Sequence, residues 1–157
     1  MSKTASSIRA VLLCLSLSTP LGVIANMGAD DANTSTDPNA IEGKKAIEAQ
    51  DWKHAVELLS KAAATDPNNA EVRNWLGFAQ RKSGNLDAAF AAYNEALKLN
   101  PQLKAAHEYI GEAYLLKGEV GKAELHLAEL QKLCTPIPCE EYKDLRRALD
   151  DYKKKKK

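Results

Sequence analysis

The sequence predicts an all-α protein, a short α-solenoid of about three helical hairpins plus a C-terminal capping helix. Three observations point there. The 157 residues include 25 Ala and 20 Leu against 5 Val, 6 Ile and 6 Thr, a composition that favours helix and leaves little for strands. Gly43, Gly77 and Gly111 recur at one fixed spacing, and so do Ala55, Ala89 and Ala123, with no insertion or deletion between them. Such self-similarity marks stacked supersecondary units that bury their apolar faces on one another. Turn residues close the periodic segments at Asp66-Pro67, Gly84-Asn85 and Asn100-Pro101. The length leaves no room for a second independent domain, and a formal net charge of +1 provides no global field to steer nucleic acid.

Residues 1–25 open with Lys3 and Arg9 and no acid, followed by an apolar run from Ala10 to Leu17 that continues loosely to Ile24. This is the order of a cleavable export signal, with the cut after Ala25. A transmembrane anchor is the rival reading, but it needs about 20 unbroken apolar residues, and Ser16, Ser18, Thr19 and Pro20 interrupt the run. A lipid anchor on Cys14 fits less well, because Leu13 stands where a small residue is expected. Cleavage leaves 20 basic against 21 acidic side chains, and Cys134 and Cys139 as the remaining thiols. The expected location is the periplasm of a Gram-negative cell. Residues 26–40, rich in Asp, Asn, Ser and Thr, read as a flexible leader.

Residues 41–137 hold the three repeats. Apolar periodicity and the turn residues predict helices over 38–49, 52–65, 70–83, 86–99, 104–117, 120–133 and 140–153. At each hairpin crossing a small residue such as Gly77 or Ala89 lets two backbones approach, and Leu76, Leu86, Tyr93 and Leu97 fill the space around it. Pro101, with Asn100, ends a second helix because proline cannot continue the ladder and disfavours helical geometry in the residue before it. The first helix has the least support and is expected to fray: Glu42 precedes its glycine, and Gln50 stands where a turn glycine belongs.

The third repeat closes on Cys-Thr-Pro-Ile-Pro-Cys. An even pair of cysteines in an exported chain is expected to form a disulfide, Cys134 to Cys139, stabilising the fold by about 2 kcal/mol in the chain-entropy model. A redox dithiol would usually have two intervening residues, and a zinc site would need two further ligands that His107 and His126 do not supply in a regular pattern. Residues 138–152 place Tyr142, Leu145, Leu149 and Tyr152 on one stripe and Lys143, Asp144, Arg146, Arg147 and Asp150 on the other side, as a terminal cap requires. Residues 153–157 are a lysine tail, expected to be frayed and solvated or to make a weak contact with an anionic surface.

Leu76-Gly77, Gly84-Asn85, Ala89, Tyr93, Ala96 and Pro101 together resemble the tetratricopeptide repeat family. The resemblance covers about residues 41–152, and the cysteine-bracketed loop followed by Glu140-Glu141-Tyr142 is similar to small secreted bacterial members. Asn39, Arg73 and His107 depart from it where the family has a large aromatic. The family's first helices line a concave face that receives a protein or peptide partner. Mapped onto this chain, that face holds Lys44, Asn74, Trp75, Phe78, Arg81, Lys82, Glu108, Tyr109 and Glu112, with Ile41 and Glu48 beside Lys44 in the first repeat. Trp75, Phe78 and Tyr109 would form an exposed aromatic patch there, which calls for a cover, unless Trp75 and Phe78 pack on the leader or the next helix. A clamp for a C-terminal carboxylate is not expected, since Ala105, Glu108 and Tyr109 do not suit it.

No phosphate loop, nucleophile elbow or His-Glu-x-x-His is present, and no catalytic residue, metal or cofactor is expected. His54 and His126 read as surface or rim residues of second helices and His107 as part of the packing between repeats. The function expected is a non-catalytic protein–protein interaction scaffold of the periplasm or envelope. The alternatives are an envelope-surface or membrane-associated structural protein and, third, a thiol-redox protein. Nucleic acid is excluded as a partner by the lack of a basic groove, and oligomeric state is left open.

Overall fold

Seven helices follow one another in the computed structural model, which describes residues 35–156, and no strand occurs among them. They are α1 (Pro38–Glu48), α2 (Trp52–Thr65), α3 (Ala70–Lys82), α4 (Leu86–Leu99), α5 (Lys104–Leu116), α6 (Val120–Leu133) and α7 (Glu140–Lys155). The first six pair into hairpins, α1 with α2, α3 with α4 and α5 with α6, and each first helix also meets the next repeat. The export signal, Cys14 and most of the leader lie outside the described residues.

The glycine column explains the pairing. A Cβ built on Gly43 would lie 2.7 Å from Leu59 Cγ, and one on Gly77 would lie 2.6 Å from Tyr93 Cδ1. Both partners are fully buried, so neither has space to give way. Gly111 obeys the same rule with a different partner. Its Cβ would meet Leu145 Cδ2 of α7 at 2.5 Å. Leu145 stands one repeat further along the glycine column, so α7 occupies the place of a fourth first helix and brings a side chain where the others have none. Leu145 and Leu149 are buried against Leu115, Ala123 and Leu130, closing the apolar end of the array.

Local chemistry sets the helix ends. The Asp37 carboxylate accepts from the backbone N–H of Asn39 and Ala40, and Pro38 occupies the first turn, where its missing N–H is not needed. The helix therefore starts within the segment read as leader, and α1 is a complete helix rather than a fraying one. Its C-terminal turn needs a left-handed residue, which Gly84 (φ +88°) and Gly118 (φ +77°) supply in the later repeats. Gln50 takes the same place at φ +59°, a strain of about 1–2 kcal/mol that the buried Ala40, Ala46 and Ile47 offset. Asp51, Asn69 and Asn85 cap α2, α3 and α4 through their side-chain oxygens.

Cys134 and Cys139 sit at bonding distance with their Cα atoms 5.3 Å apart, joining the end of α6 to the start of α7. The tail differs from expectation. The helix continues through Lys155, with Lys153 paired to Glu124 at 2.7 Å and Lys154 to Asp151 at 3.4 Å. Cations at a helix C-terminus complement the carbonyl end of the dipole, which offsets their mutual repulsion. No helix among the described residues is long and apolar enough to cross a membrane.

Candidate functional site

Three helices build one cleft of about 350 Å³. α3 contributes Phe78, Arg81 and Lys82, and α5, one repeat later, contributes Glu108, Tyr109 and Glu112. The third wall is α7, through Asp144, Arg147, Ala148 and Asp151. Six of the nine residues read from the sequence are thus brought together. Lys44, Asn74 and Trp75 lie apart: the Lys44 ammonium stands 5.1 Å over the Trp75 ring, and Asn74 is 1% exposed with no hydrogen-bond partner for its side-chain oxygen.

The expected exposed aromatic patch is corrected. Trp75, Phe78 and Tyr109 are 8%, 7% and 6% exposed. Phe78 packs on Tyr109 of the next first helix at 4.9 Å between centroids and meets Trp52 of the preceding second helix edge-to-face at 6.2 Å, because neighbouring helices lie close enough for their aromatics to cover each other. The Phe78 and Tyr109 rings form the floor of the cleft, and its chemistry lies in the charges around them.

Arg81 organises those charges. Its guanidinium bonds Glu112 at 2.6 Å and lies 5.3 Å from the Phe78 centroid and 5.5 Å from that of Tyr109. Burial works against its charge, but Tyr93 and Glu112 more than offset this and hold its pKa above the ordinary value. The Tyr93 hydroxyl lies within reach of that field without the alignment of a hydrogen bond. For Glu108 the compensation, from Arg81, falls short. Burial, with Glu112, Asp144 and Glu141 nearby, pushes its carboxyl up to about 8. Burial, reinforced by Glu108, also holds the Tyr109 phenol above its ordinary range. Arg147 pairs with Asp144 along α7.

Sequence reasoning missed the α7 wall. The signal was present, since positions 144, 147, 148 and 151 follow the i, i+3, i+4, i+7 spacing of one helix face. It was hidden because that face was read as solvated surface.

A second polar cluster joins half-buried His126 to His107. His107 Nδ1 lies 3.0 Å from His126 Nδ1, and His107 Nε2 lies 3.0 Å from the Pro101 carbonyl oxygen. A carbonyl only accepts, so Nε2 of His107 donates, its Nδ1 accepts in the neutral ring, and Nδ1 of His126 donates to it. Burial and the neighbouring His107 lower the His126 pKa from 6.5 to about 4. The unfolded chain therefore takes up this proton first. His126 contributes stability that is complete above about pH 6.5 and lost progressively as the pH falls to about 4. Allowing for its partial exposure, the loss is expected to be about 1–2 kcal/mol. Urea unfolding of wild type and His126→Gln across that range checks it: the stability difference should shrink on acidification, and a constant difference would contradict the assignment. No group of three or more His, Cys, Asp or Glu side chains arranged to hold a metal occurs among the described residues.

Known proteins share this arrangement. The tetratricopeptide repeat family model matches residues 42–104 and again 79–135. The TPR repeat-containing thioredoxin TTL4 of Arabidopsis thaliana is 29% identical over 96 residues, 61% of this chain, and the chain spans 13% of that protein's length. A point mutant of MamA superposes with a TM-score of 0.59 at 30% identity, covering 66% of this chain and 75% of that one. The Yersinia enterocolitica type III secretion translocator chaperone SycD superposes at 0.69 with 20% identity over 82% of this chain and 92% of its own. The first TPR of Spaghetti (RPAP3), bound to the HSP90 peptide SRMEEVD, superposes at 0.64 with 19% identity over 72% and 89%. The last two likenesses concern the fold alone.

Proposed function

The chain belongs to the tetratricopeptide repeat family, and on that premise we propose that it is a non-catalytic scaffold of the periplasm or cell envelope that holds a peptide or partner protein in its concave cleft. One observation carries this reading: α3, α5 and α7 converge on a single cleft with a rigid aromatic floor and charged walls. A floor locked by packing presents its contacts without reordering on binding, which lowers the entropic cost of association. The solved peptide complex of RPAP3 and the chaperone SycD support it as proteins of the same fold with a protein or peptide partner. Export rests on the order of residues 1–25.

A photo-crosslinking amino acid placed at Lys82 or Arg147, on the cleft, and at Lys61, on α2 outside it, tests the reading in the source cell. Adducts of one defined mass are expected from the first two positions and not from the third. Equal labelling at all three, or none, would sink the cleft assignment. Intact mass of the periplasmic fraction tests export: a chain starting at Asn26 is expected, and one retaining Met1 contradicts it.

A further inference from the structure

We propose that one corner of the array, the α5–α6 turn together with the last turns of α7, rests on an anionic phospholipid surface, with Leu116 entering the boundary between headgroups and acyl chains. This goes beyond the scaffold reading and is independent of what the cleft holds.

The fold gathers lysines that the sequence spreads over two repeats. The α5–α6 turn packs against the end of α7: a Cβ on Gly118 would lie 3.3 Å from the Tyr152 hydroxyl oxygen, and Lys153 reaches Glu124 at 2.7 Å. Lys117 and Lys122 thereby join Lys153, Lys154, Lys155 and Lys156 at one corner, and Lys82 ends α3 at the same edge one repeat earlier. The acids there are Asp87, Glu119, Glu124 and Asp151, and each is taken by a lysine. These pairs are solvent-exposed, so each is weak and opens at little cost. Lys82, Lys155 and Lys156 make no ion pair among the described residues; Lys82 lies over the Phe78 ring and Lys156 over that of Tyr152. The corner thus holds seven lysines against four carboxylates, while the rest of the described residues hold twelve basic against fifteen acidic side chains. A chain with a formal net charge of only +1 is therefore polarised, and an anionic surface turns this corner toward itself.

Two features favour a lipid surface over an acidic protein. Successive helical residues turn through about 100°, so the lysine run of α7 faces several sides at once. A folded partner reads one face, whereas a fluid headgroup layer meets them all. Leu116 is the second feature. It ends α5 beside Lys117 and is 64% exposed, so the packing of the array makes little use of it. An apolar side chain set among lysines suits the membrane interface, where lysine stems lie along the acyl boundary and their ammonium groups stay with the phosphates.

Vesicle co-sedimentation with phosphatidylglycerol and with phosphatidylcholine provides the test. Wild type is expected to bind phosphatidylglycerol vesicles at least about tenfold more tightly at low salt and to be released at about 0.5 M salt. Replacing Lys153, Lys154, Lys155, Lys156 and Lys157 with Gln should weaken that binding by about tenfold or more, and Leu116→Ser by about threefold. Five charges removed from the opposite edge, by Gln at Lys61, Lys98, Lys104, Lys132 and Lys143, should cost less than about threefold. Circular dichroism confirms that each variant keeps its fold. All of them share one N-terminus, so their differences report on the substituted positions alone. Equal binding to both lipids, unchanged binding in either corner variant, or an equal loss in the opposite-edge variant would overturn the proposal. So would displacement by inorganic phosphate at constant ionic strength, which marks a site for a free anion. Tighter binding to poly-glutamate than to the vesicles would also overturn it, giving the corner to an acidic protein.

Discussion

Replacing Tyr93 with Ala is expected to lower the unfolding free energy by about 3–5 kcal/mol, the range for removing a large buried aromatic. Tyr93 is fully buried and tops the set of largest buried side chains. Its ring lies where Gly77 has no Cβ, 2.6 Å from where that atom would be, and 6.3 Å from the Tyr109 centroid. The middle hairpin and the cleft floor thus rest on the same side chain. For a domain whose whole stability is of order 5–15 kcal/mol, such a loss is a large fraction. Tyr93→Phe separates the ring from its hydroxyl. That hydroxyl is buried without a well-aligned hydrogen bond but acts on the Arg81 guanidinium, so removing it relieves a desolvation penalty and gives up that interaction, two opposed effects of about 1 kcal/mol each. The Phe variant should therefore lie within about 1 kcal/mol of wild type in urea. If Ala costs less than about 1 kcal/mol, or Phe costs as much as Ala, the packing account of the glycine column is wrong.

Leu145→Ala is expected to cost about 2–4 kcal/mol and to loosen α7 from the array. Leu145 is fully buried, and its branched end fills the notch at Gly111. Without it Leu149, Leu115 and Leu130 lose a common neighbour. The paired change is diagnostic. Gly111→Ala alone should destabilise by about 1–3 kcal/mol, because the new methyl meets Leu145 at 2.5 Å on a helix that the disulfide also holds. In the Leu145→Ala background that clash is gone and alanine's better helix propensity remains, so the second change should be close to neutral or stabilising. A double-mutant cycle from urea unfolding reads the coupling directly. Additive costs would show that Leu145 does not fill the notch. Fluorescence at Tyr142 and Tyr152 should report the detachment of α7.

Much of the architecture was legible because the physics is local. Asp66-Pro67 and Asn100-Pro101 terminate helices wherever they occur, and a strict spacing of Gly43, Gly77 and Gly111 admits few arrangements. The expected helices agree with those found to within two residues at each end. The first helix was underrated because Glu42 and Gln50 were weighed as defects, while the capping by Asp37 was passed over. Asp37 needs only its own neighbours to cap, so that signal was available.

The site was legible in part. Phe78, Arg81, Lys82, Glu108, Tyr109 and Glu112 follow from repeat spacing, since equivalent positions on stacked helices share a face. Their burial did not follow, because whether an aromatic is covered depends on the distance between successive helices, which no spacing in one helix encodes. The contribution of α7 was hidden for a related reason. Its charges look alike along the sequence, and only docking over Gly111 brings Asp144 near Glu108 and Arg147 to the rim of the cleft. His126 joined His107 by the same tertiary proximity.

By itself, then, the sequence determined the helices, their order, the disulfide's two ends and six of the residues that line the cleft, because capping, periodicity and backbone sterics act within a few residues. Tertiary structure decided which side chains are covered, which carboxylate is left without a counterion and which helix completes the cleft. Burial and electrostatics depend on what lies across the gap, and that is settled only when the helices pack.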